Sequence, residues 1–377
     1  MKSSVKLQVP FIDFKNQYAS IRGPVQAAVK RVFDSQQFIL KEEVAALEKE
    51  VARKAGVTHA VGVASGSDAL YLALVALGIG PGDEVITVPF TFFATAGAIH
   101  RTGAKIVFVD IKPKTFNIDP SLLEARITPR TKAILPVHLF GVPCDMDAVR
   151  KIAARYGLKV IEDAAQSFGA EYKGKQTGSL SDAGCLSFFP TKNLGGAGDG
   201  GMVLTSSGEL ADKIRVLRVH GSRQKYYHDV VGINSRLDEI QAAVVRVKLE
   251  VLDRWNAARR KCAAEYDRAL KGLPLETPFV PSDVKPIYHL YSILTEPREE
   301  LAAFLERQGV GSGVYYPRCL HLQACFKELG YKKGDFPISE RVSDRVLSLP
   351  LYPELSASQR ALTVRSVRKF FEGGGTP

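Results

Sequence analysis

The sequence predicts an α/β fold: a large domain built on a mostly parallel sheet with helices on both faces, followed by a smaller C-terminal α+β domain. Three observations predict it. Short apolar runs of strand length recur between residues 60 and 189, and stretches with helical spacing stand between them. The chain, 377 residues at 45% apolar and 24% charged, is long enough to bury two cores. Strands joined through helices run in the same direction, because a crossover is what returns the chain to the start of a parallel neighbour.

Taken in order, residues 10–56 read as helical. Val25, Ala28, Val29 and Val32 keep one apolar face, and Leu40, Val44, Leu47 and Val51 resume it after a break at Ser35. Residues 60–64 form a short strand. Ser65-Gly66-Ser67-Asp68 turns it into a helix over 69–77, which Gly78 stops. Gly80-Pro81-Gly82-Asp83 is a turn, 84–88 a strand and 91–101 a helix. Residues 105–110 and 131–137 are strands and 146–156 a helix. The strand at 159–162 then delivers Asp163-Ala164-Ala165-Gln166 at its carboxyl end. The strand at 185–189 ends in Pro190.

A long helical pattern over 236–271, marked by Ile240, Val244, Val247, Val251 and Trp255, ends at Gly272-Leu273-Pro274. The domain boundary is expected within it, giving domains 1–245 and 246–377. Beyond it come strands near 287–295 and 311–316, helices near 298–308 and 357–371, and a flexible Gly-Gly-Gly-Thr-Pro tail.

Composition narrows the function classes. Residues 1–12 lack a signal-peptide core and no uncharged apolar run reaches bilayer length, so no membrane partner is expected. The five cysteines (144, 185, 262, 319 and 325) are scattered and form no C-x-x-C, which argues against a disulfide framework or a metal site and for the cytoplasm. A net charge of +11 calls for an anionic partner. The basic residues are spread along the chain, and a solvated helix face explains the cluster Arg254, Arg259, Arg260 and Lys261 as well as a polyanion does, so nucleic acid is not the expected partner.

In an open sheet of this kind the site lies beyond the carboxyl ends of the strands. Three groups fall there. Lys192 stands at a strand end with apolar residues before it and glycines after it, where lost hydration lowers its pKa and frees the amine for carbonyl chemistry; a solvated turn lysine is the plainer alternative. The Ser65–Ser67 turn puts free N–H groups and hydroxyls at a helix N-terminus, a phosphate seat or an ordinary cap. Asp163 is either a functional carboxylate or a cap. Together they match what pyridoxal 5'-phosphate asks of a protein: a lysine to hold it, a carboxylate for its pyridine nitrogen and a phosphate site.

These groups sit in linked motifs: Ser-Gly-Ser-Asp-Ala-Leu at 65–70, Pro-Phe-Thr-Phe at 89–92, Glu-Asp-Ala-Ala-Gln at 162–166, Ser-Phe-Phe-Pro-Thr-Lys-Asn-Leu at 187–194, Gly-Asp-Gly-Gly at 198–201, Gly-Ile-Asn-Ser-Arg-Leu-Asp at 232–238 and Tyr-Tyr-Pro-Arg-Cys-Leu-His-Leu-Gln at 315–323. In these motifs, across nearly the whole chain, the sequence resembles the DegT/DnrJ/EryC1/StrS family of pyridoxal-phosphate-dependent nucleotide-sugar aminotransferases, of the aspartate aminotransferase fold group. The resemblance implies the type I transferase fold with a seven-stranded sheet. It implies that Lys192 holds the cofactor and shuttles a proton, that Asp163 pairs with the pyridine nitrogen, that Gln166 contacts the ring hydroxyl and that Phe92 stacks on the ring. Gly66, Ser67 and Ser187 would hold the phosphate.

The resemblance also implies a homodimer with shared sites, in which Asn234 reaches the phosphate of the neighbouring subunit; the alternative is that Asn234 or Ser235 merely caps the long helix. It implies glutamate as amino donor and a nucleotide-linked keto sugar as acceptor, with Arg236, Tyr316 and His321 at the substrate, although a histidine in that loop could equally be packing. The segment Tyr316-Pro317…Leu320-His321-Leu322-Gln323 favours a 3-keto-6-deoxyhexose over a 4-keto sugar or a 3-keto uronic acid. A relative that kept the fold and lost the reaction is the remaining alternative, and the pair Lys192 and Asp163 argues against it. Departures from the family pattern, Gly-Gly-Ala at 195–197 and Arg318-Cys319, flank the site and bear on substrate fit.

Overall fold

The structure, a computed structural model, describes residues 8–373. Its centre is a seven-stranded sheet of β1 (His59–Val63), β2 (Glu84–Thr87), β3 (Lys105–Phe108), β4 (Thr131–Ile134), β5 (Lys159–Asp163), β6 (Ala183–Ser187) and β7 (Gly201–Thr205). The spatial order is β1-β7-β6-β5-β4-β2-β3. Six strands are parallel, and β7 runs against both its neighbours. The connection to β7, residues 188–200, contains no helix, so the chain turns back beside β6 instead of crossing over. β2 and β7 are buried along their whole length, as expected where helices cover both faces.

Helices α1 (Phe14–Ser35) and α2 (Glu42–Ala55) precede the sheet. α3 (Gly66–Ala76), α4 (Phe93–Arg101), α5 (Met146–Tyr156) and α6 (Gly208–Leu217) join or follow its strands. α2 ends at Gly56 and α5 at Gly157, both with positive φ, the left-handed stop that glycine adopts without strain. α7 (Glu239–Ala269) has 31 residues, or about 46 Å at 1.5 Å per residue. Its first half packs on α1 and α2, while Cys262, Ala263 and Tyr266 near its end enter a second core. That core surrounds the antiparallel pair β8 (Tyr291–Leu294) and β9 (Val346–Leu349), with α8 (Arg298–Arg307) and α10 (Ala357–Glu372) against it. α9 (Pro337–Arg345) leads into β9.

Several expectations change. Residues 311–316 make no strand: the only bridge there is Gly313 to Ser348, and the chain then leaves to place Tyr315 and Tyr316 in a cleft. The helix expected from 91 begins at Phe93, since Phe92 is extended. α7 is capped by Asp238, whose carboxylate accepts the Gln241 N–H at 2.8 Å, and neither Asn234 nor Ser235 starts it. β7, α6, α9 and β9 were not anticipated. The expected flexible tail lies outside the described residues from 374 onward. Among the described residues no helix is long and apolar enough to cross a membrane, and no cluster of metal-ligating side chains occurs.

Candidate active site

A cleft of about 430 Å³ opens at the carboxyl ends of β1, β5 and β6. Eight of the eleven residues expected at the site line it: Gly66, Ser67, Phe92, Asp163, Gln166, Ser187, Lys192 and Tyr316. They come from positions between 66 and 316, so the fold, not the sequence, makes them neighbours.

The phosphate-seat end is built by the turn from β1 into α3. Ser65 caps α3, its hydroxyl accepting the Asp68 N–H at 3.1 Å and its carbonyl the Ala69 N–H at 2.9 Å. Gly66 and Ser67 lie ahead of the first intrahelical bond, so their N–H groups face outward at the positive end of the helix. A Cβ on Gly66 would stand 2.6 Å from the Ser187 Cβ, and one on Gly201 would stand 2.3 Å from the Ser65 carbonyl oxygen. Only glycines let β6, β7 and this turn close into one cradle. The N–H donors, the Ser67 and Ser187 hydroxyls and the missing side chain at Gly66 suit a phosphate.

Asp163 ends β5. Its carboxylate accepts the Thr95 hydroxyl at 2.8 Å and the Ala165 N–H at 3.2 Å. Burial holds its pKa above the ordinary value, against the opposing effect of those hydrogen bonds and of the Lys192 charge. Glu162, on the other face of the strand, accepts from Gly178 N–H, Leu180 N–H, the Ser181 hydroxyl and Nε2–H of His138 at 2.7 to 2.9 Å, which ties β5 to the loop entering β6. Nδ1 of His138 is occupied by the Cys144 N–H at 3.0 Å, so that ring keeps its proton on Nε2.

Lys192 follows β6, its N–H donating to the Phe189 carbonyl at 2.8 Å. Burial lowers its pKa to about 8, with the Asp163 carboxylate opposing. The lysine is therefore partly free amine near neutral pH, as carbonyl chemistry needs. The glycines after it have a duller purpose than expected. A Cβ on Gly196 would meet the Gln241 side chain of α7 at 2.7 Å, and the same Gln241 accepts the Ala197 N–H at 2.8 Å. The loop is glycine-rich where it lies close against Gln241 of α7.

Gln166 is oriented by Phe140, whose N–H donates to its Oε1 at 2.9 Å, and its Nε2 donates to the Tyr316 hydroxyl at 2.9 Å. Burial raises the Tyr316 pKa, so it stays a phenol with its proton free to donate. Phe92 is half exposed with its ring 6.1 Å from that of Tyr316.

Three expected residues are elsewhere. His321 is buried, with Nε2 3.1 Å from Glu340 and its ring centroid 4.8 Å from that of Phe336; it packs behind the cleft and does not line it. Asn234 is exposed and Arg236 half-buried, both outside the cleft of their own chain. The sequence reading missed Thr95, Asp199, His289 and Leu290. Of these only Asp199, inside Gly-Asp-Gly-Gly, had a local signal.

The donor set at Gly66, Ser67 and Ser187, the buried carboxylate and the desolvated lysine fit pyridoxal 5'-phosphate. Comparison with known proteins agrees with this geometry. The chain is 51% identical over 368 residues to a Geobacillus stearothermophilus protein named pleiotropic regulatory protein, covering 97% of this chain and 99% of that one. It is 45% identical over 365 residues to UDP-N-acetyl-3-dehydro-alpha-D-glucosamine 3-aminotransferase of Acidithiobacillus ferrooxidans (97% and 98% covered). It is 46% identical over 366 residues to dTDP-3-amino-3,4,6-trideoxy-alpha-D-glucose transaminase of Streptomyces venezuelae (97% of each). The crystal structure of S. venezuelae DesV in complex with a ketimine intermediate superposes with a TM-score of 0.95 at 46% identity, covering 97% of this chain and 98% of that one. The family model of the DegT/DnrJ/EryC1/StrS aminotransferases matches residues 20–368, and the chain belongs to this family of pyridoxal-phosphate-dependent sugar aminotransferases.

Proposed function

We propose that this protein moves the amino group of glutamate to the keto carbon of a nucleoside-diphosphate 3-keto-6-deoxyhexose, working as a homodimer with shared sites. The observation that carries the reading is the meeting of a desolvated lysine, a buried carboxylate and an open helix N-terminus in one cleft. Pyridoxal 5'-phosphate, when bound, supplies an electron sink for the carbanion left when the substrate carbon loses its proton.

The protein's own groups do the rest. Gly66, Ser67 and Ser187 hold the phosphate at the α3 N-terminus, with Asn234 of the partner subunit reaching it from the other side. Asp163 holds a proton on the pyridine nitrogen; Thr95 and Ala165 fix the carboxylate in place. Gln166 and Tyr316 offer donors to the ring oxygen, and Phe92 covers the ring face. Nζ of Lys192 would hold the cofactor and, as general base and acid, would move the proton between the two carbons. Arg236 and the general positive charge attract the anionic nucleotide.

The names of the two aminotransferase relatives, one for a 3-dehydro sugar and one for a 3-amino sugar, support carbon 3. They differ in nucleotide and in the groups at carbons 2, 4 and 6. The relative named as a regulator keeps alive the reading of a chain without the reaction, against which stand Lys192 and Asp163, both present in the cleft. The test is a comparison of kcat/KM on 3-keto-6-deoxy, 4-keto-6-deoxy, 3-keto-uronic and 2-acetamido-3-keto nucleotide sugars, with Lys192→Ala as the inactive control. The first should be preferred by at least tenfold. A preference for any of the others overturns the sugar assignment, and turnover by Lys192→Ala at the parent rate overturns the role of Lys192.

A further inference from the structure

Residues 286–290 run from the second core to the cleft wall, where His289 and Leu290 reach it. The backbone of His289 is fixed on both sides: its N–H donates to the Phe140 carbonyl at 2.8 Å, and its carbonyl accepts from the Arg259 guanidinium at 3.3 Å. The ring is fixed as well. Asn193, the neighbour of Lys192, donates from Nδ2 to the Ile287 carbonyl at 3.2 Å and to Oδ1 of Asn256 at 2.8 Å. A peptide carbonyl can only accept, so the Asn193 amide cannot be turned round. Its Oδ1 therefore faces Nδ1 of His289, 3.3 Å away, and Nδ1 must carry the proton.

Burial first, and then the charges of Lys192 and Arg259, keep the His289 pKa well below its ordinary value, so the ring stays neutral and Nε2 is a bare lone pair. Among the described residues nothing donates to Nε2, and it is not one of the sealed polar atoms left without a partner. It opens on the space that His289 lines, the cleft and a recess of about 40 Å³ behind it.

We propose that His289 serves the transamination as a fixed hydrogen-bond acceptor: Nε2 receives an O–H or N–H of the bound substrate, while Nδ1–H, through Asn193, holds the backbone that carries Lys192. A neutral acceptor suits the place. An imidazolium would repel both Lys192 and an arriving ammonium group, and a ring protonated only on Nε2 would set the bare Nδ1 lone pair against Asn193 Oδ1, acceptor against acceptor. The donor on the substrate is either the nitrogen of the amino donor or a sugar hydroxyl, two sources of one chemistry. The substrate role rests on the aminotransferase reading; the position of the proton does not.

The first arm of the test is a long-range 1H–15N correlation on cofactor-loaded protein labelled with [15N]histidine, the His289 signals being assigned by their loss in His289→Gln. A protonated Nδ1 with a bare Nε2, unchanged between pH 6 and 8, is expected; an imidazolium pattern or a proton on Nε2 overturns the proposal. The second arm follows each half-reaction in a single turnover by visible absorbance. His289→Phe, which removes donor and acceptor, should slow at least one half-reaction by about ten- to a hundredfold, the worth of one hydrogen bond to a polar or charged donor. His289→Gln, whose amide offers both a donor and an acceptor, should recover most of that loss. A loss confined to the glutamate half identifies the amino nitrogen as the donor, and one confined to the sugar half identifies a hydroxyl. Rates within twofold of the parent in both halves overturn the role. A parent enzyme that ignores glutamate would instead mark the amino-donor assignment as the failure, with the NMR result still deciding the proton on His289.

Discussion

At the scale of single residues the cleft turns on one electrostatic compromise. Burial pushes the Lys192 amine down to about 8, and the Asp163 carboxylate pulls it back up; burial in turn raises Asp163, which its hydrogen bonds and the lysine hold down. Each group limits how far the other can drift from the charge state it needs. A pH dependence follows with a definite sign. Uptake of the cofactor by the apoprotein needs the free amine, so its rate should rise with pH through about 8. Asp163→Asn removes the charge that raises Lys192, so the midpoint should move to lower pH, and the loaded variant should lose most of its turnover because an amide cannot hold the ring proton. Stopped-flow absorbance on both proteins between pH 6.5 and 9.5 measures the shift; a midpoint that rises would mean that Asp163 does not act on Lys192.

At the scale of elements, α7 is the part that holds the Lys192 loop in shape. Gln241, Lys248 and Asn256, spaced at about two turns along it, touch Ala197, Gly196 and Asn193. Lys248 does this at a cost in stability. Burial lowers its pKa to about 8, with Glu354 opposing, and its bond to the Gly196 carbonyl is long at 3.4 Å. Below pH 8 the ammonium is charged in both the folded and unfolded chain, and the full cost of burying it falls on the fold. Between about pH 8 and 10.5 the unfolded chain keeps a proton that the fold gives up, so stability rises with pH. Lys248→Met should therefore stabilise the protein by about 1–3 kcal/mol at pH 7, and the gain should fade toward pH 10.5. Denaturant unfolding of parent and variant at pH 7, 9 and 10.5 reads the difference directly.

The same element shows what the sequence could and could not reveal. Helical spacing made α7 and α5 plain, and strand-to-helix punctuation gave away the Ser65 turn, Asp163 and Lys192. β7 escaped because its apolar run, Met202-Val203-Leu204, follows directly on the glycine loop and its antiparallel course depends on the missing crossover. Residues 311–316 imitated a strand because the aromatic side chains that line the cleft and pack on Phe11 and Phe90 also have high strand propensity. His321 looked functional and proved to be packed against Phe336, whereas His289 carried no motif at all. Its place depends on Asn193, Asn256 and Arg259, contacts made only once the second core has docked.

At the scale of the whole molecule, the proposed shared-site dimer asks for a surface that a second copy can cover. Val231 is 96% exposed, and Phe14, Phe33, Tyr226 and Tyr227 also present apolar surface to solvent. Asn234 is exposed three residues after Val231, outside the cleft of its own chain, and Arg236 has no ion-pair partner among the described residues. The simpler explanation for this segment, that Asn234 or Ser235 caps α7, fails because Asp238 does so and the Ser235 hydroxyl is spent on the Ala64 N–H at 3.1 Å. That last bond puts the segment next to the turn that opens the phosphate seat, and we propose that a two-fold axis sets it against the site of a second copy. If Asn234 acts across that axis, a mixture of two inactive proteins should regain function. A heterodimer of Lys192→Ala with Asn234→Asp contains one site with the intact lysine of one chain facing the intact asparagine of the other, and one site lacking both. Random exchange at equal concentrations makes about half the dimers mixed, so about one quarter of parental activity should return. Should Asn234 instead serve its own chain, every site in the mixture would carry a defect, and activity would stay at background even after native mass spectrometry has shown that subunits exchanged.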